Sequence, residues 1–365
     1  MDILAPINRA EEVEPLARAG ATELYCAVLS ERWRKRYTHM GGVSREMYTR
    51  SSMQSYDELR KALTIAHDLG IRVNVAFNQD FYSAAQFTHL VEEVEEAIAA
   101  EADALIVADL GLMSHLHDND VGIDIHVSTI NAVFNAQAAR FYQRLGASRV
   151  ILPHHLSIKE IADIAQAAPD ITLEGFVLNA RCPYVEGLCT YFHGLTEIRH
   201  KDTAKGMWAL LNPRLGRSRA HLVRAMRHIP KTVQYSGPVA RIASTHLCLN
   251  SSAVHVEPLE GSDELATAVQ ERFGLQWSPN WGGSGCGICG LGAMRDAGIS
   301  VLKIQGRIHP TSKKVDDVIL VRRALEELEG SEDSTAYMER CRALYMELYG
   351  WNCSAAECYW PEVVR

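Results

Sequence analysis

The stretch SYDELRKALTIAHDLGIRVNVAFN, residues 55–78, contains a helix signal followed directly by a strand signal. Ser55 is a preferred N-cap residue type, Glu58 lies three residues later, and Gly70 is a glycine of the kind that ends helices. The apolar, β-branched run RVNVAFN (72–78) then predicts a buried strand. A helix paired with a strand in this way is the repeating unit of α/β folds.

The same alternation continues on both sides of this stretch. Eight short apolar runs predict strands, at residues 2–7, 22–28, 72–78, 104–109, 124–129, 149–153, 172–179 and 302–307. A doubly wound open sheet also alternates, but eight regular units favour a closed (β/α)8 TIM-type barrel. Runs such as ALIVA (104–108) are apolar throughout, as expected of parallel strands that are covered on both faces.

Two long intervals interrupt the alternation, and both follow the carboxyl end of a predicted strand. One is a polar loop after the second strand, and the other is the interval 180–299 after the seventh. Loops on this face of a barrel hold the active site. We therefore predict a barrel over 1–179 and 300–330, a cysteine-bearing, basic insertion over 180–299 at the barrel mouth, and a C-terminal helix with a cysteine-containing tail over 331–365.

Composition points to a soluble cytoplasmic protein. The 365-residue chain has no apolar run near the roughly 18 residues of a membrane helix, so we expect no membrane span. Its N-terminus has no apolar signal core. Nine cysteines are an odd number in a chain without an export signal, which makes a disulfide framework a poor explanation. Metal binding or redox chemistry explains clustered cysteines better.

Charge is unevenly distributed. The net charge of −8 argues against a general nucleic-acid binder, yet residues 199–231 contain nine Lys and Arg residues and one acid, Asp202. Three interpretations of this basic segment stay open: a solvated surface, a lid over a small-molecule pocket, or a docking surface for an anionic partner such as RNA. The overall negative charge favours the lid, because a polyanion would be repelled at every other approach.

Four cysteines are placed to meet at the barrel mouth. Cys182 and Cys189 follow the seventh strand with C-x6-C spacing, and Cys286 and Cys289 form a glycine-flanked C-x-x-C before the eighth strand. Four thiolates suit a [4Fe–4S] cluster or zinc. The C-x6-C spacing favours the cluster, because closed zinc sites use shorter knuckles. Packing alone is the third explanation, and Cys248, Cys353 or Cys358 could replace one of the four.

Several quoted segments resemble the collagenase-like peptidase family, unassigned type thirty-two. ELYCAV, ALIVADLGLM, IHVSTINAVFN and RVILP occur in that family's order, and AGISVLKIQGR resembles its signature before and within the last strand. The resemblance covers residues 1–195 and 286–325. It implies a [4Fe–4S] barrel in which Cys182 and Cys189 match the first two ligands and Cys286 resembles a later one. The family's intermediate cysteines are absent, so Cys289 or another cysteine must supply the fourth thiolate.

The resemblance also implies a function. Despite the name, better-understood members resemble oxygen-independent hydroxylases that act on ribosomal RNA, transfer RNA or ubiquinone precursors, with prephenate implied as the hydroxyl donor for some. This chain departs from the family at FVLNARC and at ILPHHL, so its substrate pocket differs from that of the best-known members. It contains neither an H-E-x-x-H nor a G-x-S-x-G motif, which disfavours a peptidase.

Polar residues at strand ends are the substrate-binding candidates. Arg307 is preferred among them, because a guanidinium binds a carboxylate donor through two hydrogen bonds. The others are Asn78, Asp109, Ser128, His154 and Asn179. We therefore expect a cluster-dependent redox enzyme acting on a small molecule or an RNA base. The alternatives are a cluster- or zinc-binding protein that works with a partner, such as a protein of the same family, and a peptidase. The sequence does not determine the oligomeric state.

Overall fold

The computed structural model describes residues 1–37, 42–45, 51–179, 186–187, 285–330, 333–350, 358–360 and 363. Cys182, Cys189, Cys248, Cys353 and the basic segment 199–231 lie outside the described residues. The predictions made for them therefore stay predictions.

Eight parallel strands form a closed barrel, which confirms the predicted fold class. The sheet order is β6-β5-β4-β3-β2-β1-β9-β7, and pairing of β6 with β7 closes the ring. A ninth strand, β8, pairs antiparallel with the end of β7 outside the ring. The strands are β1 (Asp2–Pro6), β2 (Glu23–Cys26), β3 (Arg72–Phe77), β4 (Ala104–Val107), β5 (Asp124–Val127), β6 (Ala147–Ile151), β7 (Thr172–Asn179), β8 (Gly285–Cys286) and β9 (Ile299–Ile304).

Helices surround the barrel. The described helices are α1 (Val13–Ala19), α2 (Glu31–Tyr37), α3 (Tyr56–Asp68), α4 (Ala84–Ala99), α5 (Leu110–Asp118), α6 (Ala136–Arg144), α7 (Ile158–Ala167), α8 (Leu291–Asp296), α9 (Thr311–Glu329) and α10 (Ser334–Tyr349). Helix α3 begins as predicted, because the Ser55 hydroxyl accepts a hydrogen bond from the Glu58 backbone N–H at 3.2 Å. Gly70 follows it with φ +70°, a conformation that favours glycine.

The last barrel strand differs from its predicted position. It runs from Ile299 to Ile304, whereas the sequence placed it at 302–307. Gly306 has φ +107°, so the extended backbone ends before the predicted last two residues. The apolar residues Ile299 and Val301 pair with β7 and β1 and extend the strand at its beginning. The short strand β8 was not predicted.

The barrel interior contains a buried network of ion pairs in addition to apolar side chains. The Arg149 guanidinium donates to both carboxylate oxygens of Glu23, at 2.7 and 2.8 Å, and to Glu174 at 3.2 Å. Lys303 donates to the other Glu174 oxygen at 2.6 Å, and Asn74 donates to Glu23 at 3.0 Å. These five residues come from five strands and are at most 6% exposed. The network therefore joins strands across the barrel.

None of the helices in the described part of the chain combines the length and the apolar character that a membrane crossing requires.

Candidate functional site

The C-x-x-C motif lies at the carboxyl end of β7. Strand β8 pairs Cys286 with Leu178 and Gly285 with Asn179, and the Gly287 N–H donates to the Val177 carbonyl at 2.8 Å. A Cβ at position 285 would lie 2.6 Å from the Asn179 carbonyl oxygen, so only glycine allows this approach. The motif is therefore attached to the face of the barrel where the sequence predicted a site.

Two glycines of the motif form a cradle for an indole ring. A Cβ on Gly287 would lie 2.8 Å from Trp360 Nε1, and one on Gly290 would lie 2.7 Å from Trp360 Cδ1. The indole is buried, at 4% exposure, and its Nε1 has no hydrogen-bond partner among the described residues. A buried N–H without a partner is costly. This N–H lies beside the C-x-x-C turn, at Gly287.

The thiols around this turn are close to one another. Cys289 and Cys341 interact through their side chains, and the Cys341 thiol also lies 3.8 Å from the Ile288 carbonyl oxygen. The hydrogen bond with Cys341, followed by burial, raises the pKa of the Cys289 thiol. The same hydrogen bond lowers the pKa of Cys341. Cys341 in α10 is thus both buried and in contact with a predicted ligand.

The C-terminal tail returns to the motif. Cys358 forms a backbone bridge with Cys286, and the Tyr359 N–H donates to the Cys286 carbonyl at 2.9 Å. The Tyr359 hydroxyl donates to the Asn179 carbonyl at 2.9 Å. This arrangement places Cys358, one of the replacement ligands considered from the sequence, beside a predicted ligand.

The described residues contain only part of the predicted ligand set. Within the described ranges, no three His, Cys, Asp or Glu side chains are grouped as the ligands of one metal ion. Of the four predicted ligands, Cys286 and Cys289 are described, on a turn that contains Gly287 and Gly290.

His154 follows β6 at the barrel rim, which is formed by the carboxyl ends of the strands, and its ring packs against β7. Its ring stacks on Phe176, with centroids 4.0 Å apart and planes at 10°, and on Tyr359 at 5.2 Å. Its Nδ1 lies 2.8 Å from Glu186 Oε2, and the side chain is 1% exposed. Its Nε2 has no hydrogen-bond partner among the described residues. His154 also lines a small enclosed cavity, together with Phe176, Tyr359 and Trp360.

Three other candidates make contacts within the rim. Asn78 donates to the Ser128 hydroxyl at 3.3 Å, so the structure brings these two together. Asp109 is the N-cap of α5, because its carboxylate accepts from the Leu112 N–H at 2.8 Å. That cap accounts for Asp109 without a substrate.

Asn179 is held in an unusual conformation by its neighbours. Its φ is +77°, a region that Asn tolerates better than most residues. Its Nδ2 donates to the Gln305 carbonyl at 2.8 Å and to Asp317 at 2.9 Å, and its Oδ1 accepts from Lys313 at 3.1 Å. These contacts turn the Asn179 side chain toward α9, so it joins the barrel end to that helix.

Arg307 lies just beyond β9 and is 4% exposed. It donates to the Ser44 hydroxyl at 3.1 Å, which places it under the loop that follows β2. Burial raises the pKa of the nearby Cys26 thiol to about 12, although the Arg307 charge acts in the opposite direction. Cys26, at the end of β2, is thus a buried, protonated thiol.

Sequence analysis did not identify Glu186, Tyr359 or Trp360 as part of this region. Glu186 lies between Cys182 and Cys189, and an acid inside a predicted ligand loop was the available signal. The adjacent aromatic residues after Cys358 were the signal in the tail. Neither signal identifies a contact, because the partners are more than 30 residues away along the chain.

Comparison with known protein families now assigns the chain. The model of peptidase family U32 matches residues 8–206, more than half of the sequence. The chain belongs to peptidase family U32. The assignment agrees with the resemblance seen in the barrel segments.

Known relatives of this U32 chain have names that refer to different activities. It is 35% identical over 140 residues to tRNA hydroxylation protein P of Haemophilus influenzae, covering 38% of this chain and 30% of that protein. It is 29% identical over 227 residues to an uncharacterized protease of Methanocaldococcus jannaschii, covering 58% and 50%. It is 25% identical over 147 residues to the 23S rRNA 5-hydroxycytidine C2501 synthase of Escherichia coli, covering 40% and 22%. Each alignment spans at most half of the relative's length.

Proposed function

We propose that this U32 protein is an iron–sulfur-dependent enzyme that hydroxylates an RNA base. The observation that supports the proposal most is the position of Cys286 and Cys289 at the active-site face of a barrel whose relatives include proteins named for tRNA hydroxylation and rRNA 5-hydroxycytidine synthesis.

Cys182, Cys189, Cys286 and Cys289 would hold a [4Fe–4S] cluster. Such a cluster supplies one-electron chemistry when bound. The glycine turn at Gly287 and Gly290 and the buried Trp360 N–H support this ligand set. Cys341 and Cys358 are the thiols that would replace a missing ligand, because they adjoin Cys289 and Cys286. Zinc is the alternative occupant.

Arg307 would bind the anionic group of a co-substrate. Replacing a ring C–H by C–OH removes two electrons from the base, so the reaction needs a hydroxyl donor that accepts them. A carboxylate compound such as prephenate suits the guanidinium of Arg307. Ser44, which accepts a hydrogen bond from Arg307, places a hydroxyl group beside it. The Asn78–Ser128 pair would contact the base through its amide and hydroxyl groups.

The basic segment 199–231 would bind the RNA backbone. Nine positive charges against one negative charge suit phosphates, and RNA-directed relatives favour this interpretation over a lid on a small molecule. Reversing Arg217, Arg219 and Arg224 to Glu should weaken RNA binding and flatten its salt dependence. The visible absorbance of the cluster should not change.

Two experiments test the proposed function. Protein purified without air should be brown and contain about four irons per chain, whereas a colourless protein with one zinc would reject the cluster. RNA nucleosides from cells with and without the gene should differ by one hydroxylated nucleoside. Equal nucleoside profiles would reject RNA hydroxylation. If metal-free protein also hydrolysed casein, the results would support a peptidase, in line with the name of the Methanocaldococcus relative. A bound cluster without turnover until a second polypeptide is added would support the partner-dependent alternative.

A further inference from the structure

Glu186 connects the interval between Cys182 and Cys189 to the barrel rim. Its Oε2 accepts hydrogen bonds from the Thr129 hydroxyl at 3.0 Å and from the His154 backbone N–H at 2.9 Å, and lies 2.8 Å from His154 Nδ1. The residue is 7% exposed. Burial alone would raise the pKa of the Glu186 carboxyl group, but His154 and its hydrogen bonds lower it below its ordinary value. A buried carboxylate is thus held at one point of the rim.

Gly187 reinforces this attachment. It has φ +84°, and a Cβ there would lie 2.3 Å from the Ile130 carbonyl oxygen and 2.8 Å from Ala132 Cβ. The backbone of Gly187 therefore rests directly on the turn that follows β5. Two consecutive residues of the C-x6-C interval contact the rim through features that other residue types would not reproduce.

His154 connects Glu186 to the other cysteine-bearing segment. Its ring lies between Phe176 of β7 and Tyr359, and Tyr359 in turn donates its N–H to the Cys286 carbonyl. A continuous series of contacts thus runs from Glu186 through His154 and Tyr359 to Cys286. Each member is buried. These side chains thus link Glu186, within the C-x6-C interval, to the strand that contains Cys286.

We propose that Glu186 and His154 are positioning residues for the iron–sulfur cluster, fixing the C-x6-C interval against the strand that contains Cys286. The inference rests on the proposed cluster. Side chains that orient ligands without binding the metal typically change metal affinity about 10–100-fold when they are removed. Neither residue supplies a thiolate, so their loss should weaken retention of the cluster without removing a cysteine ligand.

The test compares four variants with the wild-type holoprotein, all purified without air. Glu186→Ala removes the carboxylate, His154→Phe keeps a stacked ring but removes both ring nitrogens, and Glu186→Gln keeps an accepting oxygen. His115→Phe is the control, because His115 lies on α5 and its ring contacts Phe87. The measurements are iron per chain, the rate at which excess chelator bleaches the visible absorbance, and the thermal midpoint of the cluster-free protein.

The expected result is bleaching that is about 10–100-fold faster for Glu186→Ala and His154→Phe, with Glu186→Gln intermediate and His115→Phe unchanged. Wild-type bleaching in the first two variants would overturn the inference while leaving the cluster intact. Faster bleaching that follows a lower thermal midpoint in all four variants would also overturn it, because general loosening would then explain the loss. An iron-free wild-type protein would reject the proposed function itself, and with it the inference.

Discussion

The barrel interior and the barrel rim both bury polar side chains, but they satisfy them differently. In the interior, Arg149, Glu23, Glu174 and Lys303 pair with one another across strands. At the rim, polar groups join loops that follow different strands, as Glu186 does with Thr129 and His154. Both regions contain buried nitrogens without a hydrogen-bond partner among the described residues, namely Arg149 Nε in the interior and His154 Nε2 and Trp360 Nε1 at the rim. The comparison indicates that the interior network joins the strands to one another, whereas the rim contacts position the segments that follow the strands.

The largest expected effect is in the interior. Glu174→Ala should lower the free energy of unfolding by about 3–5 kcal/mol, because it removes a carboxylate that neutralises two buried cations. Urea denaturation measures the change. The control is Glu326→Ala, which removes a half-exposed partner of Arg322 and should cost less than about 1 kcal/mol. Equal effects of the two substitutions would show that the interior network does not stabilise the barrel.

Asn179 lies where the two regions meet, and its substitution should cost less than that of Glu174. Asn179→Ala should lower the free energy of unfolding by about 2–3 kcal/mol, because it removes three hydrogen bonds and leaves a Cβ residue at φ +77°. Asn179→Gly loses the same hydrogen bonds without the backbone cost. It should therefore be more stable than Asn179→Ala by about 1 kcal/mol. Identical stabilities would contradict the strained backbone and leave only the hydrogen bonds.

The sequence predicted some features of these two regions and not others. Strand alternation and the Ser55 cap depend on neighbours in sequence, so the barrel and helix α3 were predictable. The Arg149–Glu23 pair was not, because its members are 126 residues apart and charges within strands suggest an exposed face. Strand β9 was placed too late, because the extended backbone ends before Gly306, at φ +107°, and the sequence alone does not show that end.

The location of the candidate site was predictable, but its supporting residues were not. The C-x-x-C motif and its location at the barrel mouth followed from spacing and strand order. Its contacts with Cys341, Tyr359 and Trp360 depend on how the C-terminal segments return to the barrel, which no periodicity determines.

A pH experiment separates the regions by charge. Burial, together with Arg149, Lys303 and Arg72, lowers the pKa of His126 in the interior well below its ordinary value. The unfolded chain therefore binds a proton near pH 6.5 that the folded chain does not bind until lower pH. As the pH falls below about 6.5, this residue should reduce the free energy of unfolding by up to about 1.4 kcal/mol per pH unit. Between about pH 7 and pH 5, the free energy of unfolding should fall less steeply with decreasing pH in His126→Phe than in the wild-type protein. An equal slope in the two proteins would show that His126 is charged in the folded protein.

The smallest expected effect is at the rim and sharpens the comparison most directly. Trp360→Phe removes the indole N–H but keeps an aromatic ring in the cradle formed by Gly287 and Gly290. In cluster-free protein it should change the free energy of unfolding by less than about 1 kcal/mol, because the described residues offer that N–H no hydrogen bond to lose. In protein that retains the cluster, the same substitution should lower the reduction potential, since an N–H directed at sulfur stabilises the more negative, reduced state. A loss above about 2 kcal/mol without the cluster would mean that Trp360 is stabilised as the interior residues are, by a protein partner. The rim and the interior would then both satisfy their buried polar groups with protein partners.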